Sequence, residues 1–335
     1  MQPSVVVIGG GTGNFSVLSG LKDRDLELTA VVAMSDSGGS SGRLRDELGQ
    51  LPPGDIRQCL VALASDAEQG VMLRRLFTHR FSMGERLEGH SVGNLLLAAL
   101  TEITGAHDRA IEAASRLLNI RGRVMPVTLT DSHLHAILSD GRELKEEALI
   151  DSRGNEDGVE IDHVFLSPSA YAFPPVLDAI TEADVVVLAP GDLYTSLIPN
   201  LLAEGVCEAL RSTRARVVYV TNLMTKPGET DGFTAERFVA EVNGYIGHES
   251  RIDVAIVHSS AFSDRVKQRY EQLGARPVDY DIESMESLVP MVIESDLVAE
   301  GIFVRHDPHK LADAVMSLIP RIVSDQERGL SEAGG

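Results

Sequence analysis

A strand that runs directly into a glycine-rich turn and a helix opens the chain and limits the folds that it can adopt. Four apolar residues at 5–8 predict a strand buried on both faces, as in a parallel sheet. The turn GGGTGN at 9–14 ends the strand, because glycine permits positive φ and a close approach of the backbone to a bulky group. Apolar residues then recur at helical spacing over 15–21. This order predicts a phosphate site, since the first N–H groups of a helix are unpaired and its dipole favours an anion.

The turn matches the dinucleotide fingerprint G-x-G-x-x-G only loosely. Counted from Gly9 the third glycine position falls on Asn14, and counted from Gly11 it falls on Ser16. A strand-to-helix turn without a ligand is therefore an alternative. Asp36 lies about 20 residues beyond the glycines, where an acidic residue meets a ribose hydroxyl in dinucleotide folds. A second loop of glycine and serine follows Asp36 at once, which such a fold does not need.

Strands and helices alternate over most of the chain, and loops rich in hydroxyl and amide groups follow the strands. The alternation predicts an α/β fold, doubly wound, with a mainly parallel Rossmann-like sheet. The carboxyl ends of parallel strands share one edge, and ligands bind there at the switch in strand order. We therefore expect these loops to line one crevice. They span 9–14, 35–42, 190–196 and 222–231.

The pattern changes between 121 and 167, where short strand-like runs at 124–129, 133–138 and 163–166 alternate with polar turns. We predict one domain over 1–325, with a small β-rich insertion around 121–167 and a disordered tail at 326–335. His133 and His135 share one face of a strand and could hold a metal. Because no third ligand has suitable spacing, solvent-facing histidines are favoured.

Capping rules predict where several helices begin. Ser40 or Ser41 can cap the helix that follows the second loop. Asp55 follows a Pro-Pro-Gly turn and is predicted to cap a helix over 56–64, with a role in a pocket as a secondary reading. Asn94 opens an apolar helix, either as a cap or as a ligand contact.

Arg43 and Arg45 lie in the first turns of the helix after the second loop, where cations oppose the helix dipole. An anionic ligand would compensate both charges. For Arg45, an ion pair with Asp46 or Glu47 is an alternative.

Charge and composition exclude several classes of partner. A net charge of −20 argues against nucleic acid or an anionic membrane as the main partner, and the absence of Trp leaves few platforms for stacked bases. No apolar run has the length of a membrane span, and the chain enters its first strand without an export signal. We therefore expect a cytoplasmic protein without membrane insertion. Cys59 and Cys207 lie in apolar helical patterns, which predicts reduced core residues.

Several long motifs give the chain a close resemblance to a known family from about residue 4 to 320. They read GGGTG, SDSGGSSGRLRDELGQLPPGDIRQCLVALA, GHSVGNL, RGRVMPVTL, APGDLYTSLIPNLL and NLMTKPGETDGFTAE. With these motifs the chain resembles the gluconeogenesis factor (YvcK-like) family, which shares a fold with 2-phospho-L-lactate transferase (CofD). The resemblance implies a regulator that binds a nucleotide sugar, UDP-GlcNAc or UDP-glucose. It also implies links to gluconeogenic growth, cell shape and cell-wall synthesis.

The resemblance implies that residues from all of these loops contribute to the nucleotide-sugar site. They are Gly9, Gly10, Gly11, Thr12, Gly13, Asn14, Asp36, Ser37, Gly38, Gly39, Ser40, Arg43, Asn94, Gly191, Tyr194, Ser196, Asn222, Thr225, Glu229, Thr230 and Arg305. Arg305 follows a strand-like run at 302–304, and its guanidinium can grip two phosphate oxygens. An ion pair of Arg305 with Asp307 or Glu300 is the alternative.

Two departures from the family pattern bear on the chemistry. Relatives often have two acids where this chain has Asp36 and Ser37, and the loss of one acid weakens a site for Mg²⁺ and weakens transferase chemistry. Asp192 stands where Ser or Thr is usual, which adds a negative charge near the expected diphosphate.

The leading prediction is a binder without turnover and without catalytic residues, since no nucleophile and base stand out together. The first alternative is a CofD-like transferase that moves a phospholactyl-type group from a nucleotide donor with Mg²⁺. The second is an NAD-dependent dehydrogenase, which would need a base near the nicotinamide. A regulatory protein partner and a homo-oligomer are both compatible with the resemblance.

Overall fold

The computed structural model describes residues 2–155, 158–247, 251–299, 301 and 303–319. The tail predicted at 326–335 lies outside these ranges. Within them, the strands form two sheets, a large parallel one and a small antiparallel one. The strands are β1 (Ser4–Gly9), β2 (Glu27–Val32), β3 (Arg123–Pro126), β4 (His133–Leu138), β5 (Glu143–Lys145), β6 (Ile161–Ser167), β7 (Val185–Leu188), β8 (Arg216–Val220), β9 (Val254–His258) and β10 (Met291–Ser295).

Helices connect the strands on both faces of the large sheet. They are α1 (Gly11–Leu21), α2 (Gly39–Leu48), α3 (Gly54–Leu63), α4 (Glu68–Thr78), α5 (Val92–Thr104), α6 (His107–Leu118), α7 (Glu147–Asp151), α8 (Pro174–Glu182), α9 (Ile198–Leu201), α10 (Val206–Ser212), α11 (Ala235–Ile246), α12 (Asp264–Glu271), α13 (Ile282–Leu288) and α14 (Pro308–Met316). A π-helical turn at Leu193–Leu197 leads into α9. The helices in the described ranges are too short or too polar to traverse a bilayer.

The order of strands in the large sheet is β10-β9-β8-β7-β1-β2-β3 across the described residues, and every neighbouring pair is parallel. The chain builds outward from β1 to β3, returns to β7 on the other side of β1, and then builds outward to β10. The switch in strand order therefore lies between β1 and β7, where doubly wound folds bind their ligands. The predicted fold class is confirmed.

Alternating side chains of the central strands enter two separate cores. Val5 and Val7 pack with the cluster that includes α1, α3 and α14, whereas Val6 and Ile8 pack with the cluster on the opposite face. These four residues are at most 2% exposed. The run of apolar residues at the start of the chain is thus explained by burial on both faces.

The run at 124–129, predicted as part of the insertion, supplies β3 of the large sheet instead. β3 pairs with β2 in parallel from Thr29–Arg123 to Val32–Pro126. Only β4, β5 and β6 form the small antiparallel sheet within the described residues. Polar turns on both sides made β3 look like an insertion strand, but the edge of β2 offers it unpaired hydrogen-bonding groups.

The predicted caps of three helices are wrong by one or more positions. α2 begins at Gly39 after the cap residue Gly38, so Ser40 and Ser41 lie inside the helix. α3 begins at Gly54 after Pro53, so Asp55 lies in its first turn. Ser91 caps α5, and its hydroxyl accepts the Asn94 N–H at 3.1 Å. In each case the helix begins before the predicted residue.

Candidate functional site

An open cavity of about 450 Å³ lies at the switch point, beyond the carboxyl ends of β1 and β7. All four predicted loops contribute to it, and so do segments from α3, α7, α12 and the turn before α14. Its lining residues are Gly11, Thr12, Gly13, Ser16, Asp36, Asp55, Glu147, Pro190, Gly191, Asp192, Thr195, Ser196, Asn222, Leu223, Met224, Tyr270, Val304, Arg305 and His306.

The glycine turn brings the first turn of α1 to the cavity floor. Gly10 is the cap residue of α1 in extended conformation, and no side chain accepts a hydrogen bond at this cap. A Cβ on Gly13 would overlap the carbonyl oxygen of Pro190, so this glycine lets α1 pack against the loop that follows β7. A Cβ on Gly11 would meet the Asp55 carboxylate at 2.5 Å. Gly13 therefore allows two backbone segments to pack closely, whereas Gly11 leaves room for the side chains of Asp55 and Gln58.

Three carboxyl groups face one another on the side of the cavity next to α3. Burial, and then the charge of Asp36, raise the pKa of Asp55 to about 7. The same two causes raise the pKa of Glu147 to about 8. Both acids therefore hold their protons to a higher pH than an exposed carboxyl group does.

Glu147 takes the place of the second acid that the sequence lacks at position 37. It begins α7, and its carboxylate accepts the backbone N–H of Ser37 at 3.2 Å. The Ser37 hydroxyl in turn accepts the N–H of Ala148 at 3.0 Å. The insertion thus delivers an acid from a distant part of the chain to the position beside Asp36.

These carboxyl groups suit a divalent cation. Carboxylate oxygens are the ligands that Mg²⁺ prefers, and a cation would offset the charge of Asp36, which after burial is the second cause of the raised pKa values of Asp55 and Glu147. The oxygens of all three do not lie within 4.8 Å of one another, as those of Asp151, Asp192 and Glu229 do, so one or two of these cavity acids would hold the ion. Bound there, it would supply positive charge for a diphosphate.

Asp192, the unusual acid on the rim, is paired with a lysine. The Lys226 ammonium lies 2.9 Å from the Asp192 carboxylate and 2.6 Å from that of Glu229, and it also pairs with Asp151 of α7. Burial alone would lower the pKa of Lys226, but these carboxylates hold it above its usual range. Although Asp151, Asp192 and Glu229 have oxygens close enough to share a metal ion, Lys226 already supplies the positive charge there.

A further part of the cavity lining comes from α12 and the segment before α14. The Tyr270 hydroxyl accepts the N–H of Val304 at 2.9 Å, which fastens this segment to α12. Arg305 is exposed at the mouth, and no ion pair with it occurs within the described ranges. The Asp307 carboxylate accepts two N–H groups at the start of α14, so it does not pair with Arg305. Glu300, the other predicted partner, lies outside the described residues.

The strand predicted at 302–304 does not form in the described part of that run. Residues 303 and 304 are irregular, and 302 lies outside the described residues. The local pairing is a single antiparallel bridge between Val298 and His306. His306 lines the cavity with a buried Nε2 that has no hydrogen-bond partner, and burial lowers its pKa to about 4. A neutral imidazole there can bond a polar group of a ligand.

Eight of the residues predicted for the site line the cavity. They are Gly11, Thr12, Gly13, Asp36, Gly191, Ser196, Asn222 and Arg305. The glycines at 9, 10, 38 and 39 belong to the same two turns but are not part of the lining. Gly10 lies directly behind it, because a Cβ there would come within 2.7 Å of the Ser196 Cβ.

Other predicted residues hold the loops in place. The Asn14 amide donates to the carbonyls of Gly9 and Val31, which ties the glycine turn to β1 and β2. The Tyr194 hydroxyl donates to Glu241 at 2.9 Å, away from the cavity, since the π-helical turn directs Thr195 and Ser196 inward instead.

The loop that follows β8 is held by its own hydroxyl groups and by Glu229. The Thr225 hydroxyl accepts the N–H of Arg276 at 2.9 Å, and the Thr230 hydroxyl accepts the N–H of Lys226 at 2.9 Å. Glu229 pairs with Lys226 and accepts the Thr195 hydroxyl at 3.3 Å. These residues shape the rim without lining the cavity.

A third group of predicted residues lies beside the cavity, around the start of α5. The Asn94 amide nitrogen donates to the Ser40 hydroxyl at 3.2 Å, and Arg43 donates to the carbonyl of Glu88 at 3.0 Å. Arg45 pairs with Asp131 rather than with Asp46 or Glu47. The structure therefore divides the predicted residues into a cavity lining, its supports and a neighbouring cluster.

Sequence reasoning gave Asp55 only a secondary role and missed Glu147, Tyr270 and His306 as lining residues. Asp55 could have been noticed, because the sequence Pro-Pro-Gly directly before it predicts a rigid turn. Glu147 and Tyr270 lie in elements whose place depends on tertiary packing, and no local pattern marks them.

Comparison with known proteins identifies the family. Residues 5–298 match the family described as 2-phospho-L-lactate transferase CofD. The chain is 43% identical over 320 residues to the gluconeogenesis factor of Bacillus subtilis, covering 95% of this chain and 98% of that protein. It is also 43% identical over 316 residues to a putative gluconeogenesis factor of Nostoc, covering 94% of this chain and 68% of that protein.

A crystal structure of a UPF0052 family protein from Bacillus halodurans has the same fold, with a TM-score of 0.87 and 41% sequence identity. The alignment covers 94% of this chain and 99% of that one. A second crystal structure of the same Bacillus halodurans protein gives a TM-score of 0.88 at 42% identity, covering 94% of this chain and 100% of that chain. With the family match across most of its length and these relatives, the chain belongs to the CofD family, among the gluconeogenesis factors.

Proposed function

We propose that the protein is a regulator that binds a UDP-sugar, UDP-GlcNAc or UDP-glucose, and acts in gluconeogenic growth and in the control of cell shape and cell-wall synthesis. The observation that carries the proposal is the cavity at the switch point, where the first turn of α1 and Arg305 approach one space. The name gluconeogenesis factor, which relatives bear over nearly the whole chain, supports the metabolic part.

The cavity has groups suited to each part of such a ligand. Asp55 accepts the N–H of Gly11, and the next N–H groups of α1, those of Thr12 and Gly13, favour a diphosphate together with the Arg305 guanidinium. Tyr270 and Asn222 also line the cavity, although the Asn222 amide bonds the main chain of Gly191 at 2.7 Å. A polar and partly aromatic lining suits a base or a sugar. A volume of about 450 Å³ lies within the range of small-molecule sites.

Binding without turnover agrees with the state of the hydroxyl groups in the lining. The Thr12 hydroxyl donates to the Gln58 amide oxygen at 3.3 Å, which is not a base. The Thr195 hydroxyl donates to Glu229, whose carboxylate also bonds Lys226, although burial raises the pKa of Glu229 to about 7. We propose action in the cytoplasm, with a protein partner or a second copy of the chain receiving the signal.

Calorimetric titration with UDP-GlcNAc, UDP-glucose, GDP and NAD tests the proposal. We expect the UDP-sugars to bind and to be recovered intact after incubation with Mg²⁺. Binding of NAD in preference to both UDP-sugars would overturn it, and so would a complete lack of UDP-sugar binding.

A second candidate function, a CofD-like transferase, is favoured by one observation. Glu147 restores a second acid beside Asp36, so the weak point in a Mg²⁺ site that the sequence indicated is compensated in space. In such an enzyme the acids would hold Mg²⁺ against the donor diphosphate and stabilise the charge that develops on it. Steady release of UDP, UMP, GDP or GMP that requires Mg²⁺ and disappears in Asp36→Asn would establish the enzyme and remove the pure binder.

A further inference from the structure

Three arginines, Arg43, Arg57 and Arg80, gather around residues 88–94 beside the cavity, and we name them the arginine cluster. Arg43 and Arg80 donate to the main-chain carbonyls of residues 88 and 89. The Nε of Arg57 donates to the amide oxygen of Asn94 at 2.9 Å. None of the three contributes to the cavity lining.

The positive charge of this cluster is not balanced by ion pairs. Within the part of the chain that the structure describes, no carboxylate pairs with Arg43, Arg57 or Arg80. Burial and then the charge of Arg80 lower the pKa of Arg57, while Asp55 and Asp36 act in the opposite direction from the cavity side. In a chain of net charge −20, carboxylates are abundant, so three arginines without one require an explanation.

The floor beneath the arginines is a buried polar network. The Ser40 hydroxyl and the His90 Nδ1 are 3.1 Å apart, and Asn94 bonds the hydroxyls of Ser40 and Ser41 at 3.2 and 3.4 Å. Each of these side chains belongs to a residue that is at most 5% exposed. Burial, and then Arg43, lower the pKa of His90, so the imidazole adds no charge of its own at neutral pH. Such a network fixes the geometry of groups above it.

The first turns of two helices meet at this floor. α2 starts at Gly39 without a side-chain cap, and the Asn94–Ser40 hydrogen bond joins its first turn to that of α5. The Ser91 hydroxyl already caps α5, and Asp36 accepts the N–H of Gly38, the cap residue of α2. The case for an anion here therefore rests on the arginine side chains.

We propose that the arginine cluster is a second anion site, which takes the phosphate group of a small phosphorylated metabolite. The planar fork of arginine suits phosphate oxygens, and Arg43 and Arg80 are exposed enough to close on a ligand. Arg57 stands between this site and the carboxyl groups Asp36 and Asp55 of the cavity. An anion on the cluster would therefore alter the electrostatics that a nucleotide sugar meets, which couples the two sites.

The test compares four forms of the full chain in thermal unfolding while phosphate is titrated at constant ionic strength. They are wild type, the double variant Arg43→Gln/Arg80→Gln, the cavity variant Arg305→Ala and the control Arg116→Gln. Arg116 is an exposed arginine on α6 paired with Glu112, so the control removes charge without touching either site. Glycerol 3-phosphate in a parallel titration distinguishes a phosphomonoester from free phosphate.

We expect phosphate and glycerol 3-phosphate to raise the melting temperature of wild type, Arg305→Ala and Arg116→Gln. The double variant should bind at least about tenfold more weakly, since it loses two charged hydrogen-bond donors. Tighter binding of the phosphomonoester than of inorganic phosphate would support a phosphorylated metabolite as the ligand.

Three results would overturn the second site. They are no response of wild type, an equal loss in Arg116→Gln, and a loss in Arg305→Ala while the double variant responds normally, which would place phosphate in the cavity. Tighter binding of inorganic phosphate than of the ester would overturn the metabolite class. Because UDP-GlcNAc is titrated separately, failure of the proposed function is distinguished from failure of this site.

Discussion

The Lys226 ammonium nitrogen lies 2.9 Å from the carboxylate of Asp192, so the acid that departs from the family pattern is paired with a residue of the loop after β8. Lys226 shares its single positive charge with two further carboxylates, and the charge of Asp192 still helps to raise the pKa of Asp55. The same ammonium holds Glu229 at 2.6 Å and binds Asp151 of α7. One cation thus joins three segments of the rim.

Replacement of Lys226 by methionine should destabilise the fold strongly. Glu229 is 4% exposed, so loss of its partner would leave a buried carboxylate without compensation, which costs about 3–5 kcal/mol. The double variant Lys226→Met/Glu229→Gln should recover most of this loss. Urea unfolding of both variants measures the difference, and equal stabilities would show that the Lys226–Glu229 pair does not govern the rim.

Two glycines of the first turn should respond differently to alanine. Gly13→Ala should unfold the protein or destabilise it by several kcal/mol, because the new methyl group meets the backbone carbonyl of Pro190. Gly11→Ala should remain folded, because the neighbours are the movable ends of Gln58 and Asp55. It should bind UDP-GlcNAc more weakly, and the bulkier Gly11→Val should abolish binding. Circular dichroism checks folding and calorimetry checks affinity; normal UDP-GlcNAc affinity in folded Gly11→Val would remove this turn from the site.

Arg305→Ala should lose roughly 1.5–3 kcal/mol of UDP-sugar affinity, the range for a hydrogen bond to a charged group. Because Arg305 is exposed, the melting temperature without ligand should hardly change. Arg305→Lys should fall between, since lysine keeps the charge but lacks the fork. Arg116→Ala serves as the control. Unchanged affinity in Arg305→Ala would assign Arg305 a purely structural role.

Stability should fall as pH rises from about 4 to 8 because of Asp55 and Glu147. Their pKa values rise from 3.8 to about 7 and from 4.5 to about 8 on folding, so the folded state binds more protons than the unfolded state in this window. Protonation favours folding below the window, and this contribution is lost above it. Glu147→Gln should therefore gain on the order of 1 kcal/mol over wild type at pH 8 and little at pH 4.

Under the proposal that Mg²⁺ binds at these acids, it should reverse part of this dependence, since carboxyl groups bind a cation in their ionised form. We expect Mg²⁺ to stabilise wild type more at pH 8 than at pH 5.5, and to stabilise Glu147→Gln less than wild type. Glu112→Gln, an exposed change of equal charge, is the matched control. Identical Mg²⁺ responses in the two variants would show that no cation binds at these acids.

The sequence was sufficient for the fold class because its decisive signals are local. Valine runs buried on both faces and glycine turns directly after them predict parallel strands with helices between them, whereas the order of the strands is known only from the structure. β3 was assigned to the wrong sheet, because the residues at 124–129 do not indicate that their partner is β2, which is distant in sequence.

The candidate site could be predicted only where its residues follow strands. Asp36 and the glycines are marked by their place after β2 and β1, whereas Glu147 reaches the cavity through the docking of a five-residue helix onto Ser37. Asp55 was interpreted as a cap because capping rules consider only the neighbouring residues. Its carboxylate instead accepts the N–H of Gly11 from another element.

Helix α7 packs against β4 and β5 of the small sheet. It also supplies Glu147 to the cavity lining and Asp151 to the ion pair with Lys226. The position of α7 consequently affects both the small sheet and ligand binding in the cavity, so the two are coupled. A molecule that binds the small sheet and shifts α7 would change the affinity of the cavity for its ligand. By reciprocity, a ligand in the cavity would change the affinity of the small sheet for that molecule by the same factor. Binding at the small sheet could thus regulate the affinity of the cavity without occupying the space of the ligand.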